Sequence, residues 1–314
     1  VSPNASLDEL RTLITRYAGR SGPGIDGVLL SSTPSAAPSS DIADPVLVVV
    51  AQGAKRIVLG DRIHDYGAGQ YLVVSVDLPV TGHYTQASPE RPFLAFGLTL
   101  RPGVIASLLL DAGPAASAGP DRGGAVRPAR SATPPGLAVS DAPDELLDAV
   151  VRMVALLGQP RDAPVLAPMV EREILWRLVT GEQGAMVRQI GLADSRLSHV
   201  ARAIRWLRSH HADPVRVEDL ARMSAMSLSA FHRHFRAVTA MTPIQYQKRI
   251  RLQEARLLLV SGPGDVAAAG FAVGYDSASQ FSREYRRQFG VPPGQDAARL
   301  RREASEGAFA GSPL

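Results

Sequence analysis

Two short arrays of Ser, His and Arg carry the most specific chemistry in this chain. Ser229, His232 and Arg233 recur at helical spacing, and so do Ala278, Ser279, Ser282 and Arg283. Residues three or four apart share one face of a helix. Each array therefore offers a compact face of hydrogen-bonding groups and fixed positive charge. An Arg fork bonds bidentately to O6 and N7 of guanine, while Ser bonds base edges of either kind. That chemistry reads base edges in the major groove of double-stranded DNA. Arg236, Arg286 and Arg287 lie further along the same helices, nearer to phosphates. Ser227 and Ser277 precede the arrays, where a hydroxyl caps free backbone N–H groups and reaches phosphate.

Bond-breaking chemistry finds no comparable set. Gly22-Pro23-Gly24-Ile25-Asp26-Gly27 matches G-x-G-x-x-G. A helical pattern precedes it and a strand-like run follows, the reverse of a dinucleotide site. His64 and His83, with Asp65 beside the first, fall short of the three or four convergent ligands a metal needs. His232 and His234 are two apart and project to different faces of one helix. No nucleophile, base and orienting group fall together. The absence of Cys excludes disulfides and thiolate chemistry. No catalytic residue, metal or cofactor is expected, and the chain reads as non-enzymatic.

The elements that must position the arrays are legible around them. Residues 217–235 and 265–290 each read as a short helix, a tight turn and a second helix, the helix-turn-helix plan. In the first unit Leu220, Ala221, Met226, Leu228, Phe231 and Phe235 supply the inward face. In the second, Val266, Ala269, Val273, Tyr275, Phe281, Tyr285 and Phe289 do so, and Gly274 suits a turn that needs positive φ. Residues 243–259 read as one spacer helix with Pro at its start, roughly 25 Å long at about 1.5 Å per residue. That length holds two reading helices about one DNA turn apart. Lys248, Arg249, Arg251 and Arg256 on it are expected to meet phosphates. Asp194 or Ser195 caps the helix over 194–211 that opens this region. Charge follows the same division. Residues 199–303 hold 17 Lys and Arg against 9 Asp and Glu, although the whole chain carries only +4. A basic C-terminal part on a slightly acidic N-terminal part fits one module for a polyanion and another for something else.

Upstream the period changes. Residues 6–18 read as an amphipathic helix. Segments around Val28 and over 46–50, 55–59, 63–66, 71–76, 81–86 and 93–100 are short and rich in Val, Ile, Leu, Tyr or Phe, with Gly, Pro and Asp between them. Such spacing predicts a barrel or sandwich. His64, Tyr66, Tyr71, His83, Tyr84 and Phe96 are its candidates for lining a small-molecule pocket, with core packing as the other account of them. Helices are expected at 101–111, 143–157 and 164–180, the last two free to pack within the chain or to face a second copy. Residues 112–136, rich in Ala, Gly and Pro, read as a loop. No apolar run reaches the roughly 18 residues that span a bilayer. The opening segment VSPNASLDELRTL lacks the basic and apolar regions of a signal peptide, so a cytoplasmic location away from membranes is expected.

At the C-terminal residues the pattern becomes specific. MTPIQYQKRIRLQEARLLL and VGYDSASQFSREYRRQFGVPP resemble the AraC/XylS family of bacterial transcription regulators, over roughly residues 200–300. VVAQGAKRIVLGD and YLVVSVDLPVTG, within residues 49–82, are similar to the cupin-like N-terminal domain of one subgroup. The resemblance implies an α+β chain: an N-terminal cupin-like β-barrel with helices over residues 1–190, then an all-α DNA-binding domain with two helix-turn-helix units over 194–303. It implies base reading by the two arrays, modulation by a small-molecule effector, contact with RNA polymerase, and a homodimer. A ligand-independent dimeric regulator with a purely structural barrel is one alternative. A cupin-type enzyme fused to a DNA-binding domain is another. Some positions depart from the family pattern. Arg216 stands where a capping Ser is common, and Ala225 and Ala240 where Gly is common. Ala269 and Gly270 replace a larger apolar residue and Ala, which predicts a looser second unit.

Overall fold

The structure is a computed structural model and describes residues 3–19, 24–34, 38–113, 134–193, 195–261 and 265–305. Helix α1 (Pro3–Tyr17) leads into strands β1 (Val28–Thr33), β2 (Pro38–Ala43), β3 (Val46–Gln52), β4 (Ala54–Leu59), β5 (Arg62–Gly67), β6 (Gln70–Val74), β7 (Leu78–Gln86) and β8 (Phe93–Thr99). Helix α2 (Pro102–Ala112) and strand β9 (Leu137–Asp141) follow. The strands form two antiparallel sheets, ordered β1-β8-β3-β6-β9 and β2-β7-β4-β5. That is the order of a double-sheet jelly roll. The expected barrel is thus two facing sheets without closure. Its central strand β3 is buried along Val46–Val50, because the second sheet covers one face and helix α1, itself packed on α3 (Asp144–Ala155), covers the other. A strand covered on both faces loses the in–out alternation and reads as one apolar run.

Helices α4 (Ala163–Thr180) and α5 (Gly184–Gly191) complete the N-terminal layer. Then come α6 (Arg196–Ser209), α7 (Val217–Met223), α8 (Leu228–Thr239), α9 (Pro243–Ser261), α10 (Val266–Ala272), α11 (Ala278–Phe289) and α12 (Pro293–Ser305). Three elements differ from the sequence expectation. Strand β2 is polar and begins with Pro, which suits its place at a sheet edge. Strand β9 lies just beyond the stretch read as a loop, where no element was expected, and only its pairing with β6 makes it a strand. Helix α5 is short and starts at Gly184 without a side-chain cap. The loop expectation for 114–133, Asp194 as a cap, and Gly22-Pro23 of the glycine motif lie outside the described residues.

The cores divide in an unexpected place. One continuous apolar cluster runs from Leu7 through both sheets, then through α6, α7 and α8 to Tyr246 and Ile250 of α9. A second, smaller cluster holds Leu252, Ala255, Leu259, Ala269, Val273, Tyr275, Phe281, Tyr285 and Ala297. The first helix-turn-helix unit therefore shares its core with the N-terminal domain, and the second unit stands on its own. The boundary falls inside α9, between Ile250 and Leu252. Polar contacts reinforce the first junction. Tyr246 Oη donates to the Asp77 carbonyl at 2.8 Å, and the Gly136 amide donates to the Val238 carbonyl at 2.9 Å. Arg208 bridges Asp77, at 3.2 Å, and Asp44.

Candidate nucleic-acid interface

Both units are built by the same local devices. In the first, the amide of Met226 donates to the Ala221 carbonyl at 3.0 Å and closes the turn. In the second, Tyr275 does the same to Gly270 at 3.0 Å. Ser227 then caps α8 by accepting from the Ala230 amide, and Ser277 caps α11 by accepting from the Gln280 amide, each at 3.4 Å. Each cap satisfies an N–H that has no partner within its own helix. Phe231, Phe235 and Val238 bury one side of α8, and Phe281 and Tyr285 bury one side of α11. The opposite sides face solvent. Ser229, His232, Arg233 and Arg236 are exposed on α8. Ser279, Arg283, Arg286 and Arg287 are exposed on α11, with Ala278 and Ser282 half-buried beside them. His234, two residues from His232, is buried, so the two imidazoles do not converge.

The departures from the family pattern have structural readings. Ala225 and Ala240 both take positive φ, 51° and 56°, a conformation that costs an L-residue with a Cβ roughly 1–2 kcal/mol. Arg216 precedes α7 with no side-chain cap. Gly274, at φ 86°, turns the second unit; a Cβ there would meet the Ala212 carbonyl oxygen at 2.1 Å. Gly270 corrects the expected looseness. A Cβ at Gly270 would stand 3.0 Å from the Phe281 ring, so the missing side chain is what lets the ring seat. Asp265, whose capping role sequence reasoning missed, accepts from the Ala267 and Ala268 amides at 2.9 and 3.0 Å. An Asp immediately before an apolar helical run was the available signal.

The spacer α9 corrects the phosphate assignments made for it. Arg251 is fully engaged: Nε donates to the His211 carbonyl at 2.6 Å, Nη1 to Gly274 at 2.8 Å, and Nη2 to Ala212 and Asp213 at 3.0 and 3.1 Å. It fastens the loop after α6 to the turn of the second unit. Arg256 pairs with buried Asp296 at 2.8 Å. Lys248 bonds Glu284 of α11 at 3.0 Å, and Tyr275 Oη donates to the same carboxylate at 2.9 Å. Burial pushes Glu284 upward, but these bonds and one from Gln280 hold it below the usual carboxylate range. Arg249 turns toward the N-terminal domain, Nη1 donating to the Pro79 carbonyl at 3.5 Å, and burial lowers its pKa. Helical periodicity shows which residues share a face but not which neighbour occupies it. Of the cations of α9, Lys248 and Arg251 therefore fasten it to the second unit, Arg256 to α12, and Arg249 to the sheet domain.

The six pocket candidates do not meet. Tyr66 and Tyr84 are each paired across the sheet with Lys55, and His64 with Ile57. These side chains share the buried inner face of the four-stranded sheet, where Tyr84 lies 5.0 Å from the Phe93 ring of the facing sheet. Lys55, not singled out in the sequence, is 3% exposed with its ammonium 4.7 Å from the centre of the Tyr84 ring. The alternation Lys55, Ile57, Leu59 in β4 was the signal for its inward direction. His64 Nε2 is buried without a hydrogen-bond partner. Burial, then the nearby Arg62, lowers its pKa. Phe96, three residues from Phe93, takes the other face of its sheet, together with Val49 and Tyr71. Tyr71 reaches the α4–α5 junction through Ser140 and the Gln183 backbone. His83 faces outward, paired with Arg56. Among the described residues no group of three or more His, Cys, Asp and Glu is placed to hold a metal ion. No helix among them is long and apolar enough to cross a membrane.

Two capped helices with exposed Arg-bearing faces, tied by one spacer and joined to a double-sheet domain, define a helix-turn-helix regulator with an N-terminal regulatory domain. The family model for the N-terminus of AraC-type transcriptional regulators matches residues 24–186, and a helix-turn-helix domain model matches residues 220–299. The chain belongs to the AraC-type transcriptional regulators. It is 33% identical over 159 residues to the HTH-type transcriptional activator RhaS of Escherichia fergusonii, a match covering 48% of this chain and 56% of that protein. RhaS of Klebsiella pneumoniae is 30% identical over 146 residues, or 46% and 50% of the two chains. The matches thus span about half the length of these curated relatives. An apo form of ToxT from Vibrio cholerae superposes with a TM-score of 0.54 at 10% identity, covering 88% of this chain and 99% of that one. Wild-type ToxT with bound unsaturated fatty acid gives 0.52 at 10% identity, covering 87% and 95%. At that identity the likeness is one of fold.

Proposed function

We propose that this chain binds DNA in a sequence-specific way and regulates transcription, reading two successive major-groove segments with α8 and α11. The observation that carries this reading is the pair of capped helices whose exposed faces bear Ser229, His232 and Arg233, and Ala278, Ser279, Ser282 and Arg283. Ser227, Ser277, Arg236, Arg286 and Arg287 supply the phosphate contacts. Lys248, Arg249, Arg251 and Arg256 are withdrawn from that set. Residues 1–190 form the regulatory domain and residues 194–303 the DNA-binding domain, joined by the shared core. The chain works in the cytoplasm with RNA polymerase, as a regulator rather than an enzyme.

Its regulatory domain responds to a small molecule held between the two sheets, where His64 Nε2 is buried without a hydrogen-bond partner on the same inner face as Tyr66 and Tyr84. A buried polar atom needs a partner, and the fatty-acid-bound form of ToxT shows that a neighbour of this fold takes a small ligand. An effector that prefers one arrangement of domain and units shifts their populations and hence DNA binding. The exposed Val165, Leu166 and Met169 of α4 support a homodimer through that helix. Selection of bound duplexes from a random library, with the full chain, tests the DNA reading. Enrichment of two blocks about one helical turn apart is the expected result. One block means that α11 only grips the backbone, and the absence of any motif overturns sequence-specific binding.

A further inference from the structure

We propose that the β4–β5 turn of the regulatory domain lies on the path of the DNA backbone, where Asp61 stands in for a phosphate and restrains DNA binding. The proposal rests on the assignment of α8 and α11 as DNA-reading helices. The turn is two residues long, Gly60-Asp61, closed by the Leu59–Arg62 pair. It touches the end of the first reading helix directly, since a Cβ on Gly60 would lie 2.5 Å from the Ala240 carbonyl oxygen. Asp61 then stands 4.0 Å from Arg236, with both side chains about 70% exposed (71% and 69%). Arg236 lies three residues beyond Arg233 and four beyond His232, on the face that reads DNA. The acid therefore comes from the regulatory domain and the cation from the DNA-binding surface.

The surroundings make the position consequential. Asp61, Arg236, Lys248, Arg249, Glu284 and Arg287 line one cleft of about 380 Å³. Side chains from α8, α9 and α11 all contribute, so the cleft lies between the two reading helices. A duplex engaging both helices carries a backbone strand across this gap. Of the charges there, Lys248 and Glu284 pair with each other, Tyr275 also bonds Glu284, and Arg249 turns to the Pro79 carbonyl, which leaves Arg236 and Arg287 as the cations for phosphate. Asp61 is the acid that the regulatory domain adds. The turn has little freedom to swing aside, because Tyr246, Arg249 and the shared core hold its domain against α8 and α9. A phosphate entering the cleft meets a carboxylate already near Arg236. Removing that carboxylate frees one cation for phosphate, and a change in domain arrangement that withdraws the turn has the same effect.

The test is a salt series from 50 to 200 mM with the full chain, following anisotropy of a labelled random-sequence duplex. Wild type, Asp61→Asn, Asp61→Lys, Arg236→Ala and the Asp61→Asn/Arg236→Ala pair are compared. Asn suits a tight two-residue turn, so the first variant keeps the fold, and circular dichroism checks it. One additional phosphate contact steepens the log–log salt slope by about 0.9. Across that fourfold range of salt it is worth about a 3.5-fold change in affinity. Asp61→Asn is expected to bind more tightly at 50 mM with the steeper slope, Asp61→Lys more so, and the gain is expected to vanish in the Arg236→Ala background. Unchanged affinity and slope in the Asp61 variants, with wild type binding normally, overturns the proposal alone. Weaker binding by Asp61→Asn overturns it too. Failure of every protein to bind any duplex overturns the DNA assignment beneath it.

Discussion

Replacing Asp296 by Asn tests the division of the molecule into two cores. Asp296 is 1% exposed and accepts from Arg256 at 2.8 and 3.3 Å, from Arg299 at 2.7 Å, and from Tyr285 Oη at 2.9 Å. It thereby ties α12 to α9 and to the inner face of α11. Breaking a buried charge pair by removing one partner costs roughly 3–5 kcal/mol. Asn keeps one acceptor oxygen, so the lower end, about 3 kcal/mol, is expected. The loss falls on the second cluster, which has few buried residues to absorb it. For a unit of this size 1 kcal/mol corresponds to about 4–8 °C, which puts the shift at roughly 10–25 °C. Trp176 in α4 and Trp206 in α6 both pack against the first cluster. Tryptophan fluorescence therefore reports the first core, while circular dichroism at 222 nm reports all helices. The variant should lose part of its helical signal early in a thermal scan, with the fluorescence transition unmoved. Burial raises the Asp296 carboxyl, but its bonds from Arg256, Arg299 and Tyr285 hold it below the usual range. Its stabilisation is thus complete above the ordinary carboxylate pKa and is lost as pH falls through the lowered value. The Asn variant should lack that acid-dependent step. Coincident dichroism and fluorescence transitions, shifted together, would refute the independence of the second core. An unshifted dichroism curve would refute the role given to Asp296.

Four other outcomes follow from the same geometry. Arg251→Ala removes the bonds that fix the second unit's turn to the loop after α6; a selected two-block site should bind more weakly while the DNA salt slope stays unchanged, and a flattened slope would return Arg251 to the phosphate contacts. Arg233→Ala should cost about 1–3 kcal/mol at one base position and relax specificity there, measured by competition among single-base variants of the selected site. Ala225→Gly relieves a positive φ at an exposed turn and should raise stability by about 0.5–1 kcal/mol, read from the denaturant midpoint; destabilisation would show that the Ala methyl matters more than the strain. His64 is held neutral by burial and by Arg62, so the unfolded chain takes up a proton that the folded one resists. Stability should fall as pH drops below the ordinary histidine value of about 6.5, and the fluorescence midpoint of His64→Asn should lose that component between pH 7 and 5.

The sequence alone determined the local machinery. The spacing of Phe231 and Phe235, and of Phe281 and Tyr285, set the buried side of each reading helix. Ser227 and Ser277 marked where those helices begin, because caps and periodicity are short-range properties that a few neighbouring residues settle. The Val46–Val50 run and the turns at Gly53 and Gly60 likewise declared strands. Tertiary structure decided what met those elements. Arg249, Arg251 and Arg256 share a helix with Lys248 and read alike in sequence, yet one faces the sheet domain, one clamps a loop and one meets a buried Asp. Tyr66 and Tyr71 belong to neighbouring strands and fall on different faces of different sheets, since strand order is not written in strand spacing. The core boundary inside α9, the inward Lys55 and the approach of Asp61 to Arg236 join residues far apart in the chain. Such contacts follow from how apolar faces pack together, and no local pattern encodes them.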